Sequence, residues 1–126
     1  MTTTSLEFLY SAIGAEKLTA LVAAFYRRVP GDDLLGPMYP AEDLAGAEKR
    51  LGDFLVMRLG GPATYMEERG HPRLRMRHAP FSIGDAERDR WLELMEAAMA
   101  EVAVEEAHAA VLRPFFRQVA DFMRNR

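Results

Sequence analysis

No cysteine occurs in the chain, which excludes a disulfide framework, a thiolate nucleophile, a cysteine-rich zinc site and any prosthetic group tethered through paired cysteines. Long apolar runs are missing too: no stretch approaches the length of a membrane span, and Met1-Thr2-Thr3-Thr4-Ser5 lacks the basic region and apolar run of a signal peptide. A cytoplasmic protein with no membrane partner is expected. Excess positive charge is also lacking, and a formal net charge of -3 argues against a general nucleic-acid binder. Strand-like alternation, a glycine-rich phosphate loop, a His-Glu-x-x-His pair and internal repeats are all absent. What is present, 49% hydrophobic and 28% charged residues, belongs to a soluble globular protein. A length of 126 residues suits one domain, 1–126, that buries roughly two thirds of its unfolded surface.

The apolar spacing is helical throughout, so the fold class is all-α. Leu6, Leu9, Tyr10 and Ile13 predict a short leading helix stopped by Gly14. From Glu16 a wide stripe of Leu18, Leu21, Val22, Phe25, Tyr26 and Val29 runs to the breaker Pro30-Gly31-Asp32-Asp33. Tyr26 falls on the inward side, where its hydroxyl either needs a partner or reaches solvent at its tip. Leu34 to Pro40 is a turn-rich corner in which Pro40 biases Tyr39 away from helical backbone. A third helix beginning near Glu42 or Asp43 carries Leu44, Ala47, Leu51, Phe54, Leu55 and Leu59, with Arg50 and Arg58 on its flanks, and ends at Gly60-Gly61-Pro62. Ala47, small and inward-facing, either packs a neighbouring helix closely or leaves space above something bound. A helix from Asp85 displays Trp91, Leu94, Met95, Ala98, Met99 and Val102, which turns the sole tryptophan inward. The last helix, about Glu105 to Met123, shows Val104, His108, Val111, Leu112, Phe115, Val119 and Phe122, with Pro114 predicting a kink or a break.

Chemistry concentrates between Arg69 and Ile83. Pro72 fits the first turn of a helix and Pro80 stops one, so Arg73 to His78 has room for little more than a turn and a half. His78 ends that turn with Leu74 on its own face, Phe81 and Ile83 just after, and Arg69, Arg73, Arg75 and Arg77 around it. This setting suits a flat apolar cofactor that carries carboxylates; an arginine-rich turn also reads as a solvated face or an anion patch. Of the three histidines, His71 precedes Pro72 in a loop and reads as a cap or surface residue, and His108 lies at a helix edge among Glu105, Glu106 and alanines. His78 has the constrained, apolar, cation-flanked surroundings that a ligand to the iron of a dicarboxylate porphyrin requires.

Taken together, Phe25-Tyr26, Tyr39-Pro40, Asp43-Leu44-Ala45-Gly46-Ala47-Glu48, Gly60-Gly61-Pro62, Tyr65, the run from Arg69 through Gly70-His71-Pro72 to His78-Ala79-Pro80-Phe81, and Trp91 resemble the second group of truncated haemoglobins. The resemblance spans most of the chain, from about Leu9 to the final helix. It implies a truncated globin fold, a two-over-two helical sandwich around a b-type haem, iron protoporphyrin IX, held non-covalently between the helix containing Ala47 and the segment ending at His78. It makes His78 the proximal iron ligand and Tyr26, Tyr39 and Trp91 the distal polar cage around dioxygen. Ala47 matches the position where many globins place a distal histidine. Arg50, Tyr65 and Arg77 become propionate partners, and Leu51, Phe54, Leu74, Phe81 and Ile83 walls of the haem pocket. Pro114 and the residues before Leu6 depart from the family pattern.

The implied function is reversible, tight binding of dioxygen and other diatomic ligands, for oxygen transport or sensing. The alternative is a haem enzyme on the same iron site, a nitric oxide dioxygenase or a peroxidase, served by a separate reductase because the chain encodes no flavin or nicotinamide domain. A third reading, from another class, is a cofactor-free helical interaction module in which Tyr26, Tyr39 and Trp91 are ordinary core. The assembly is expected to be a monomer or a homodimer.

Overall fold

The computed structural model describes residues 6–61 and 83–124. Among the described residues all regular structure is helical: α1 (Leu9–Ile13), α2 (Ala15–Arg28), α3 (Leu44–Arg58), α4 (Asp85–Glu101) and α5 (Glu106–Met123), with single 3-10 turns at Leu6–Phe8, Gly36–Met38 and Ala41–Asp43. Helix α2 packs against both α3 and α4, and α4 packs against α5, so the helices form two pairs, α2 with α3 and α4 with α5, laid on one another. That double duty explains the breadth of the α2 stripe, where Leu18, Leu21, Val22, Ala24, Phe25 and Tyr26 are all buried. No single described helix is long and apolar enough to cross a membrane.

Local chemistry sets the ends of these elements. Gly14, at φ +96°, terminates α1 and donates its N–H to the Tyr10 carbonyl, a conformation that costs glycine little and other residues a good deal. The Gly84 N–H donates to the Glu87 side chain at 2.7 Å, satisfying one of the orphan donors at the start of α4. Tyr10 N–H donates to the Leu59 carbonyl at 2.8 Å, joining the start of the chain to the end of α3.

Two expectations about α5 need correction. The helix runs through Pro114 without a break. Proline deprives the Ala110 carbonyl of its donor, but both residues are exposed, so water can take the missing place. Phe122 is 56% exposed rather than inward, because the buried face of α5 is centred on Ala109, Leu112, Phe116 and Ala120. Phe122 lies two residues beyond Ala120, about 200° round the helix from it.

Candidate functional site

Three elements bring the polar aromatic residues together. Tyr26 comes from the last turn of α2 and is 8% exposed. Tyr39 follows the Gly36–Met38 turn on extended backbone, φ -124° and ψ 94°, as the proline after it requires. Trp91 stands in the second turn of α4. Phe25, fully buried, is the hub: its ring lies 5.0 Å from that of Tyr26, edge-on, and 5.4 Å from that of Trp91. Tyr26 meets Tyr39 edge-on at 5.7 Å, and Trp91 rests on Phe116 of α5 at 5.8 Å. Edge-on contacts of this kind hold rings in one orientation as well as burying area.

The polar ends of these rings share one oxygen. Burial raises the Tyr39 hydroxyl pKa, and hydrogen bonds from Trp91 and Tyr26 work against that shift. The indole can only donate. Tyr26 is also a donor, since the same contact raises its own pKa, which burial had already pushed far up. Both tyrosines are therefore neutral phenols at any physiological pH. With both lone pairs of its oxygen occupied, the Tyr39 hydroxyl has its own proton left to give.

Beside the cage, α3 presents an apolar strip that is only partly buried. Phe54 and Leu55 are buried, yet Leu44, Ala47 and Leu51, on the same inward series, are only half-buried, as are Tyr39 and Trp91. At Ala47 no side chain reaches far enough to close the strip or to offer a polar atom. Ile83, two residues before α4, is 6% exposed. Arg50, on the flank of α3, pairs with Asp43 through Nη2 to Oδ2 at 2.5 Å and Nη1 to Oδ1 at 3.5 Å. The pair lies directly over Gly46, where a Cβ would stand 2.6 Å from the Asp43 Oδ1 and 3.0 Å from the Arg50 Nη1. The Arg50 and Glu48 charges both reach the Tyr26 hydroxyl, with opposite sign.

A half-buried apolar strip bordered by a neutral hydrogen-bonding cage on one side and a cation on the other fits a flat apolar group that carries carboxylates and takes a small polar ligand on one face. Of the residues expected to complete such a site, His78, Tyr65, Leu74, Arg77 and Phe81 lie outside the described residues. The structure brings Tyr26, Tyr39 and Trp91 into one aromatic cluster around Phe25. The role of Phe116 as the support for Trp91 was missed. Its signal was its place beside Phe115 in α5, masked because the two adjacent phenylalanines compete for one inward stripe.

Among the described residues, a helical sandwich with a neutral aromatic cluster beside a half-buried apolar strip is the architecture of a small globin. The family model of the bacterial-like globins matches residues 8–125. Among curated relatives, the group 2 truncated hemoglobin YjbI of Bacillus subtilis is 47% identical over 96 residues, 76% of this chain and 72% of its own length. Among solved structures, the hemoglobin of the thermophilic phototrophic bacterium Chloroflexus aurantiacus superposes with a TM-score of 0.89 at 47% identity, covering 94% of this chain and 98% of the other. The truncated oxygen-avid haemoglobin of Bacillus subtilis gives 0.87 at 42% identity, covering 92% and 98%. This chain belongs to the bacterial-like globins and, within them, to the group II truncated haemoglobins. Membership carries with it the two-over-two globin fold, a haem cofactor and the binding of diatomic ligands.

Proposed function

We propose that the protein binds dioxygen reversibly and tightly, and that Tyr39 and Trp91 make the binding tight. The observation that carries this reading is the meeting of the three rings: Tyr26 and Trp91 both reach the Tyr39 hydroxyl, which leaves the Tyr39 proton free to be donated. Non-covalent haem, ligated by His78, suits a chain without cysteine. When bound, the haem supplies an iron that takes diatomic ligands reversibly and leaves partial negative charge on the outer atom of dioxygen but little on carbon monoxide. A buried neutral donor stabilises such charge more than a solvated one does, because no water competes and no proton is lost. Tyr39 is the primary donor, Tyr26 aims it by donating to its oxygen, and the single Trp91 N–H, which meets the same oxygen, becomes a second donor where it is shared with the ligand. Ala47 adds no donor, so these side chains carry the whole effect. Leu51, Phe54 and Ile83 offer the apolar contacts for the porphyrin, with Leu74 and Phe81 in the same role from the sequence. Arg50 has guanidinium N–H groups beyond the two that face Asp43 and can meet a propionate alongside Arg77 and Tyr65. The oxygen avidity ascribed to the Bacillus subtilis protein supports the same reading.

Stopped-flow displacement of dioxygen by carbon monoxide tests it. Losing one donor to a partly charged acceptor costs about 1.5–3 kcal/mol, roughly ten- to a hundred-fold in dissociation rate. Tyr39→Phe and Trp91→Phe should each release dioxygen faster by such a factor, and the double variant should depart from additivity because the donors are linked. Single variants within about twofold of the parent, only ~0.4 kcal/mol, would mean that these side chains do not stabilise the ligand.

A further inference from the structure

Two ligand-facing donors, Tyr39 and Trp91, sit on elements far apart in the chain, and one carboxylate with a largely covered side chain touches both elements. Asp32, whose side chain is 6% exposed, follows the Pro30-Gly31 break after α2. Its Oδ2 accepts the backbone N–H groups of Leu34 at 3.0 Å and Leu35 at 2.7 Å. Its Oδ1 accepts the Arg90 Nη1, which also donates to Asp33 Oδ1 at 3.0 Å, while Arg90 Nε lies 3.5 Å from the Glu93 carboxylate. From Asp32 the backbone bonds continue to the cage: Gly36 N–H donates to the Asp32 carbonyl at 2.9 Å, and Tyr39 N–H donates to the Gly36 carbonyl at 3.2 Å. The corner is tight, because a Cβ on Gly36 would stand 3.2 Å from the Val29 carbonyl oxygen and 3.3 Å from that of Pro30. At the other end, Arg90 is the residue immediately before Trp91 in α4.

We infer that Asp32 and Arg90 form a clamp that sets the spacing of the Tyr39 hydroxyl and the Trp91 indole, and that this pair is thereby a positioning device for ligand retention. The inference rests on the reading of Tyr39 and Trp91 as ligand donors given above. The clamp needs a carboxylate: one oxygen caps the turn that leads to Tyr39 while the other holds the helix that carries Trp91. Burial disfavours its charge, but the N–H groups of Leu35 and Leu34 and the Arg90 guanidinium outweigh that and hold its pKa below the usual aspartate value. The arrangement stays charged, and so stays closed, throughout the neutral range.

The intact haem-loaded protein is compared with Asp32→Asn, which keeps an acceptor for the Leu34 and Leu35 N–H groups, and with Arg90→Gln, which leaves Asp32 in place. Each should speed dioxygen release about three- to tenfold while carbon monoxide release changes less than about 1.5-fold, since the partly charged outer atom of dioxygen senses donor placement far more than nearly neutral carbon monoxide does. In the Tyr39→Phe/Trp91→Phe background, Asp32→Asn should add less than about 1.5-fold, because nothing remains to be positioned. A readout independent of ligand release comes from Trp91, the sole tryptophan. Its one indole N–H resonance, in the carbon monoxide form, should exchange with deuterated solvent about fivefold faster or more in both clamp variants. Arg113→Gln, which opens an exposed ion pair between α5 and Glu96 of α4, should move none of these values. Equal acceleration of both gases, full additivity in the donor-free background, or an unchanged indole exchange rate overturns the clamp. If the Tyr39→Phe and Trp91→Phe variants themselves release dioxygen at the parent rate, the donor reading falls and takes the clamp with it; if they are fast and the clamp variants are not, the clamp alone falls.

Discussion

Gly60 and Gly52 stand eight positions apart and have opposite tolerances. At Gly60 the backbone has φ +96°, and a Cβ would sit 1.7 Å from the Glu7 carbonyl oxygen, so the start of the chain lies against the bare backbone at the end of α3. Gly60→Ala meets both left-handed strain and a backbone clash, neither of which a rotamer change relieves. It should cost at least about 2 kcal/mol, read as a lowered urea midpoint. Gly52 lies inside α3 with nothing within 4 Å of a prospective Cβ. Gly52→Ala should stabilise by about 0.5–1 kcal/mol, since it only removes conformational freedom from the unfolded chain. A neutral Gly60→Ala would show that the two backbones are not held in contact. The Gly60-Gly61-Pro62 run is legible as a helix stop, whereas the segment packed on it lies some fifty residues away and is not.

Pro114 occupies the middle of α5 on an exposed face. It leaves one carbonyl without its helical donor in an element that otherwise packs well through Leu112, Phe115 and Phe116. Pro114→Ala should therefore raise stability by about 1–3 kcal/mol, and the melting temperature by several degrees, checked by thermal circular dichroism. A loss of stability would mean that the packing of α5 depends on the backbone that proline fixes. The start of α4 is joined to the end of α5 by Arg88 to Asp121 at 2.5 Å and Arg124 to Asp85 at 2.6 Å, and further along Arg113 reaches across to Glu96 while also pairing with Glu106 of its own helix. These pairs are largely exposed, so they set register more than they add stability. Helices and their inward faces follow from apolar spacing, but the side of α5 that meets α4 does not. Phe115, Phe116 and Phe122 are all plausible inward residues by pattern, and only the partner helix selects the first two.

The molecule as a whole leaves Leu44, Ala47 and Leu51 half-buried on the inward series of α3, beside Tyr39 and Trp91. A group that covers this strip stabilises the folded state by linkage, because it binds the native form and not the unfolded one. We expect His78→Ala to lose the strong absorption band of the haem protein near 400 nm, in the order of magnitude of any porphyrin Soret band, and with it part of the thermal stability. His71→Ala and His108→Ala should keep both. Loss of the band in His108→Ala alone would move the iron ligand to α5, where His108 lies half-buried in the first turn.

Residue order alone prescribes the helices, because apolar spacing, the glycine stops and the prolines act over a few positions. It also marks Tyr26, Tyr39 and Trp91 as polar aromatics on inward faces. Whether they meet is settled only when α2 packs on α4, since 13 residues separate the tyrosines and 52 separate Tyr39 from Trp91, counted as 39 minus 26 and 91 minus 39. The same holds for Asp32 and Arg90, separated by 58 positions. A lone aspartate after Pro30-Gly31 reads as a turn cap, and a lone arginine on α4 as a solvated charge. Their pairing is a product of tertiary packing, because a Coulombic contact depends on distance in space, which the spacing of residues along a chain constrains only within a single element.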